Sequence, residues 1–567
     1  MYDSIYSIIA VIAIFSLIAA RIFIYSGDNM KFKLLIIPTV ASLVLTINPA
    51  NDDAFLSGLL SYFAGVFVVM SIWEFAVKEH IANWFNAIDD DPNHVRGSSV
   101  ASHGKVIKHM RKAGVTADLS LAGLPVPTNL EPYHFLFAGA TGTGKSVAFI
   151  ELLDKIMTRA NPSEKVIIVD SGGGFFSRYA NNLTTPPILF NPFDKRSVDW
   201  SPFAEMRYPW DADSLAKSII PSMHGEAGAF NGYAQTVLSV VLLRLFESGR
   251  ATNADLFNHI CVATIEDLRV LAAGTPLAPQ VAEGNERMFG SIRAIAASAI
   301  QPFSYLSHDA GREAFSFRKY AESEGNQWAF LTFRKDQLES LKPVISTILD
   351  VVSKVVLSQE PDHTNSRRTW LMIDECASLN KISSLAEFLT EARKAGGCAV
   401  VGLQNIDQFR ENYGHQAANV LLSCLSSWLI LRVMDGETAE YMSKTLGDQE
   451  VWRTSSGKSH ATGLEFEDKT SENTSIQRQR TILPSQIQNL PEREGYLMLG
   501  GPYDIVKISL GIPAVMPNPA QRLEPIDYAP QAQKHEEEDT AKPATISNEY
   551  LPFDLPEGED KDDEPEV

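Results

Sequence analysis

Two short stretches carry the residues best suited to chemistry. Gly139–Ser146 reads GATGTGKS and fits the template G-x-x-x-x-G-K-[ST], a turn whose backbone N–H groups close around phosphate oxygens. Gly139, Gly142 and Gly144 let those amides turn inward, while Ala140, Thr141 and Thr143 fill the variable positions. Lys145 is expected to reach the β- and γ-phosphates, and the Ser146 hydroxyl is expected on Mg2+. The second stretch, Trp370–Glu375 (WLMIDE), is an apolar run ending in an acidic pair. Downstream of a phosphate loop, Asp374 is expected in the Mg2+ shell, and Glu375 is expected to orient and deprotonate the attacking water. The cofactors implied are ATP and Mg2+.

The elements that must hold these side chains follow from periodicity and breakers. Tyr133–Phe137 reads as a buried strand before the loop and Val147–Thr158 as a helix after it. Lys165–Asp170 (KVIIVD) is a parallel strand that runs into Ser171-Gly172-Gly173-Gly174 at the edge where such sheets bind ligands. Gln327–Phe333, Cys398–Leu403 and Trp428–Val433 read as further strands, Gln337–Leu357 and Ser383–Lys394 as helices, and Gly495–Gly500 with Asp504–Leu510 as a hairpin. Gln404, at the end of its strand, can sense γ-phosphate or position water. About 200 residues separate Asp170 from Asp374, far more than a crossover needs. They read as an inserted helical region over Ala212–Ile220, Ala229–Glu247, Asn253–Ile260, Ile265–Ala273 and Asn285–Tyr305. Lys78–Asn129 reads as a connector with the motor's first strands; within it Val106–Arg111 is either a solvated helix face or a nucleic-acid contact. Arg453–Gln479 reads as a long polar loop or insertion.

The chain of 567 residues is 45% apolar, and part of that excess sits at the N-terminus. Ile5–Tyr25 and Leu56–Val77 are each long enough to span a bilayer. Leu34–Ile47 is shorter and contains Pro38, which leaves two or three spans open; either count puts the residues after Lys78 in the cytoplasm. Cys261, Cys376, Cys398 and Cys424 form no C-x-x-C pair and read as reduced core residues. The net charge is −20, and His535–Val567 holds 13 Asp or Glu against 2 Lys. Bulk charge therefore gives no support to nucleic-acid binding, which would need local basic loops. The Pro-rich, acidic end reads as a disordered tail.

With these residues assembled, Tyr133–Pro513 resembles the coupling proteins of bacterial type IV secretion and conjugation, the TraD/TrwB group. The stretches that carry the likeness are GATGTGKS (139–146), NPFDKRSVDWSPFAE (191–205), WAFLTFRKDQLESLKPVIS (328–346), WLMIDECASL (370–379), ARKAGGCAVVGLQN (392–405) and ILPSQIQNLP (482–491). The resemblance implies an α/β fold: a membrane-anchored RecA-like P-loop ATPase domain with an inserted all-α domain, N-terminal transmembrane helices and a disordered acidic tail. The expected division is an anchor at 1–78, the motor at 79–192 and 323–518, the all-α insert at 193–322 and the tail at 519–567. It further implies a homo-hexamer in the bacterial inner membrane with its motor in the cytoplasm. Such a protein would bring relaxase–DNA complexes and relaxosome accessory proteins to a type IV secretion channel and pump DNA. On the same basis Gln404 is the phosphate sensor and Arg393 the finger reaching a neighbouring subunit's nucleotide; alternatively Arg393 and Lys394 merely complement a helix C-terminus. One departure stands out: relatives more often carry Asp-Pro-x-Gly and an acidic residue where this chain has Asp170-Ser-Gly-Gly-Gly.

Three other readings compete. An FtsK-like chromosome translocase would normally add a winged helix where this chain has an acidic tail. A secretion ATPase for protein substrates would lack tight, salt-sensitive DNA binding. A non-hydrolysing membrane scaffold has no use for Lys145, Asp374 and Glu375 together.

Overall fold

A computed structural model describes residues 93–526, with breaks at 160, 224–225, 250–251, 307–312, 363–366 and 460–468. The expected membrane spans and the acidic residues after 526 lie outside the described residues. Ten strands build the main sheet: β1 (Val100–Ala101), β2 (Phe135–Ala138), β3 (Glu164–Ser171), β4 (Ile188–Phe190), β5 (Gln327–Phe333), β6 (Arg368–Ile373), β7 (Gly397–Leu403), β8 (Ser427–Leu431), β9 (Glu494–Met498) and β10 (Ile505–Ser509). Their order is β1-β10-β9-β8-β2-β7-β6-β3-β5-β4. Strands β8 through β4 in that order are parallel, and the expected C-terminal hairpin, β9 and β10, adds antiparallel to β8.

The unbroken apolar runs of the central strands are explained by burial of both faces. Alternate side chains enter opposite layers. Leu136 and Ala138 join one core with Ile167, Val169 and Ile373. Phe135 and Phe137 join the other with Val166, Ile168 and Phe149. Helix α1 (Lys145–Arg159) covers the second layer through Ala148, Phe149, Leu152, Leu153 and Ile156, the three-to-four spacing that one helix face requires.

Between β4 and β5 the chain is helical, as periodicity predicts. Helices Pro209–Ile219, Glu226–Glu247, Asn253–Phe257, Ile265–Ala272 and Glu286–Ile300 share a core with the long helix Leu338–Ser358, joining Leu215, Val241 and Ile292 to Val344 and Ile348. Two expected helices are shorter than predicted. Asn253–Ile260 passes into a π turn at Asn258–Val262, and Asn285–Tyr305 tightens into a 3-10 turn at Gln301–Tyr305, where Pro302 has no N–H to continue the ladder. Gly228–Glu247 is the one described helix long and apolar enough to cross a membrane, but Val237, Leu238, Val241 and Leu242 bury it in this core.

Two regions differ from the sequence reading. The described residues of Arg453–Gln479 are strands: Asp448–Ser459 pairs antiparallel with Lys469–Arg480 in unbroken register, and His94–Gly97 adds a short third strand. Both ribbon faces meet solvent, so no apolar alternation marks it; the facing Trp452 and Ile476 are 45% and 47% exposed. The expected tail also starts too early. Ala520 exchanges hydrogen bonds with Ser177, N–H to carbonyl at 2.7 Å and Ser177 hydroxyl to Ala520 carbonyl at 2.6 Å, and the Lys195 N–H donates to the Glu524 carbonyl at 2.9 Å. These bonds are made mostly by backbone, which composition does not register. In the connector, helix His103–Lys112 buries Val106 and Met110 and turns its basic side chains outward.

Candidate functional site

The phosphate loop joins β2 to α1. Its entry is pinned to both neighbouring strands: Gly139 N–H donates to the Leu403 carbonyl (3.0 Å), and Ala140 N–H to the Arg432 carbonyl (2.9 Å). The Thr143 hydroxyl closes the turn on the Ala140 carbonyl at 2.8 Å. Gly142 and Gly144 sit at φ +80° and +113°, where a Cβ is strained. Lys145 and Ser146 open α1, so the free N–H groups of its first turn and its positive dipole end face the loop.

Asp374 and Glu375 follow β6, one strand beyond β7 from the loop. The close approach is set by Gly402 of β7, where a Cβ would lie 1.8 Å from the Asp374 carbonyl oxygen. Lys145 is 7% exposed, and its Nζ stands 3.1 Å from Glu375 Oε2 and 3.9 Å from Asp374 Oδ1. Asp374 Oδ1 and Glu375 Oε1 are buried without a hydrogen-bond donor. Burial pushes both carboxyls above their ordinary range and Lys145 pulls them back. Thr141 Oγ1 donates to Gln404 Oε1 at 3.0 Å, tying the loop to the end of β7. The structure thus brings together Gly139–Ser146, Asp374, Glu375 and Gln404.

The donor set fits a metal-bound polyphosphate. A helix N-terminus and an ammonium group offer positive charge to phosphate. Two buried, donorless carboxylate oxygens offer acceptors to hydrated Mg2+ and to the proton of a water molecule.

Asp170, at the end of β3, resolves the departure in the following loop. Its carboxylate accepts from the Gly174 N–H (3.0 Å) and the Phe176 N–H (2.8 Å), capping α2 (Gly174–Tyr179), while Gly172 and Gly173 take φ +88° and +68°. Burial raises it to about 6; the capping amides oppose that rise and nearby Asp374 adds to it.

Arg393 is not near this loop. It lies before β7, at the opposite end of the strand from Gln404, roughly 20 Å away at about 3.3 Å per residue. Its guanidinium is exposed, donates to Tyr133 Oη and stacks on the Tyr133 ring at 4.6 Å. Sequence reasoning missed Arg493, which borders the loop: its N–H donates to the Thr143 carbonyl at 2.8 Å, and its Cγ lies 3.1 Å from where a Gly144 Cβ would be. Arg493 holds φ +62°, a conformation no side-chain pattern announces.

A family model described as the type IV secretion-system coupling protein DNA-binding domain matches residues 118–511. The chain belongs to the type IV coupling proteins. It is 29% identical over 433 residues to the coupling protein TraD of Escherichia coli (strain K12), covering 75% of this chain and 59% of TraD. Among solved structures it is similar to the bacterial conjugative coupling protein TrwBdeltaN70 in its unbound form, with TM-score 0.67, 32% identity, and coverage of 76% of this chain and 96% of that one. The plasmid coupling protein TrwB in complex with ADP and Mg2+ matches with TM-score 0.66 and 31% identity, over 76% of this chain and 96% of that one. TrwB in complex with the ATP analogue ADPNP matches with TM-score 0.67 and 31% identity, over 77% and 99%. This likeness gives the coupling-protein fold: a RecA-like P-loop sheet carrying an all-α region.

Proposed function

We propose that this chain is the ATP-hydrolysing coupling protein of a conjugative type IV secretion system, moving DNA to and through the channel. The observation that carries the reading is Lys145 held 3.1 Å from Glu375, beside two buried carboxylate oxygens without donors, at the mouth of a phosphate loop. Gly139 through Lys145 would cradle the phosphates, and Ser146 with Asp374 would hold Mg2+. Held by those two residues, Mg2+ would neutralise phosphate charge during hydrolysis. Glu375 takes the proton of the attacking water, Gln404 reports the γ-phosphate to the loop through Thr141, and Arg393 serves the nucleotide of a neighbouring copy. The complexes of TrwB with ADP, Mg2+ and an ATP analogue support this reading.

The assembly that suits such a motor is a homo-hexamer, anchored in the bacterial inner membrane by residues 1–78 with its motor in the cytoplasm. The motor comprises 79–192 and 323–526, with the all-α insert at 193–322. Relaxase and relaxosome accessory proteins are its expected partners, recruited by the acidic residues 527–567, where Tyr550, Leu551, Phe553 and Leu555 form an apolar anchor among charges. In a donor lacking this protein, the wild-type chain restores transfer of a mobilisable plasmid and Lys145→Ala does not. Restored transfer by Lys145→Ala would overturn the hydrolytic reading. Deleting residues 549–567 should lower transfer and relaxosome pull-down while leaving ATPase activity intact; unchanged transfer would reduce the tail to a solubilising role.

A further inference from the structure

We propose that Tyr133 is the positioning residue for Arg393, holding its guanidinium in the orientation presented to the adjacent copy. This rests on the reading that Arg393 acts in trans. Arg393 is exposed and lies at the far end of β7 from its own phosphate loop, out of reach of its own nucleotide site. An arginine free in solvent samples many rotamers, and a transition-state contact needs one. Tyr133 supplies the restriction twice, through its ring 4.6 Å beneath the guanidinium and through its hydroxyl oxygen, which accepts from Nη1.

Both partners stand on fixed backbone. The turn after Arg393 is tethered by backbone bonds, Gly396 N–H to the Arg393 carbonyl (3.2 Å) and Thr369 N–H to the Gly396 carbonyl (3.1 Å), and it packs so closely that a Gly396 Cβ would lie 2.2 Å from the Arg367 carbonyl oxygen and a Gly397 Cβ 2.6 Å from Ala392 Cβ. The Tyr133 carbonyl accepts from the Ser426 N–H (3.0 Å) and hydroxyl (2.9 Å). Two residues earlier Glu131 is buried between Arg159 and Arg368, at 2.7 Å from each. Tyr133 itself is 38% exposed, so the pair sits on the surface, where core packing does not call for an aromatic ring under an arginine.

The test uses the full-length, assembled chain and compares turnover of saturating ATP in Tyr133→Phe, Tyr133→Ala, Arg393→Ala and the Tyr133→Ala/Arg393→Ala double variant. Tyr133→Ala should lower kcat by between tenfold and about 10²-fold, the loss a misplaced group incurs, with KM for ATP unchanged. Tyr133→Phe, which keeps the ring, should lose less, and the double variant should be no slower than Arg393→Ala alone. Mixing Tyr133→Ala with Lys145→Ala subunits should recover activity, because the second partner supplies an oriented arginine to the first partner's complete site. Wild-type turnover in Tyr133→Ala beside an impaired Arg393→Ala, additive losses in the double variant, or no recovery on mixing would each overturn the proposal. Wild-type turnover in Arg393→Ala would instead remove the trans-arginine reading beneath it.

Discussion

At the C-terminal end of the central strands one ammonium group, Lys145, faces two carboxylates, and two of their buried oxygens have no donor. At the N-terminal end of the same strands Glu131 and Glu164, both 0% exposed, face Arg159 and Arg368. There every carboxylate oxygen has a donor: Glu131 takes Arg159 and Arg368 at 2.7 Å each, and Glu164 takes Arg159 and the Trp370 Nε1–H, the latter at 2.7 Å. Both ends set carboxylates against cations, but the Asp374 and Glu375 side chains are 19% and 18% exposed where those of Glu131 and Glu164 are fully buried. The two ends also differ in satisfaction. A buried acceptor without a donor costs about 1–3 kcal/mol, and a scaffold gains nothing by keeping one. The carboxylates left without donors are therefore the ones placed to receive a ligand, and the fully paired carboxylates hold the strands and the platform under Tyr133.

The largest effect expected from breaking this contrast is catalytic. Glu375→Gln should cut ATP turnover by about 10²–10⁴-fold while leaving nucleotide binding and the melting temperature near wild type. A large drop in melting temperature would mean that the pair is structural after all. At the other end Glu131→Ala removes the carboxylate that buried Arg368 pairs with and one of the two that Arg159 pairs with, and should cost about 3–5 kcal/mol of stability, read as a shift in the denaturation midpoint.

The pH responses of the two ends should have opposite signs. Asp170, beside the nucleotide end, is raised from 3.8 to about 6 by burial, so its contribution is full below about pH 3.8 and is lost as pH rises through about 6. His134, at the far end, is lowered from 6.5 to about 4 by burial, so its contribution is full above about pH 6.5 and is lost as pH falls through about 4. Relative to wild type, Asp170→Asn should gain stability as pH rises from 4 to 7 and His134→Gln as pH falls over the same range, each by up to about 3 kcal/mol. Denaturation midpoints at three pH values measure both, and parallel trends would refute the assignment.

The smallest effect separates the two ends of β7. Gly402→Ala and Gly397→Ala both insert a methyl group where a Cβ would lie within 1.8 Å and 2.6 Å of other atoms, and each should cost about 1–3 kcal/mol. Only Gly402→Ala pushes on Asp374, so only it should weaken Mg2+-ATP binding, as titration calorimetry would show.

The nucleotide end was legible because its signals are local. A phosphate loop needs glycines, lysine and serine at fixed spacing between a strand and a helix, and an apolar run ending in Asp-Glu marks where a buried parallel strand emerges. The apolar pattern bounds Gln327–Phe333 as the structure does, and it bounds the strand and helix flanking the loop to within a few residues. The satisfied end was not legible, because Glu131, Arg159, Glu164 and Arg368 lie up to 237 residues apart and a lone charged residue reads as surface.

By itself, then, the sequence determined the strand–loop–helix unit, the acidic strand end, the helical insert and the family, since each depends on short-range spacing that chain geometry imposes. Only the tertiary structure decided which charges are paired, that Asp170 caps a helix, that Asp448–Ser459 and Lys469–Arg480 form a ribbon, that residues up to Ile526 dock on the motor, and that Arg393 rests on Tyr133. The reason is physical. Pairing across a sheet and satisfaction of a buried charge depend on partners brought close by folding, and single-sequence periodicity contains no information about which distant residue that partner will be.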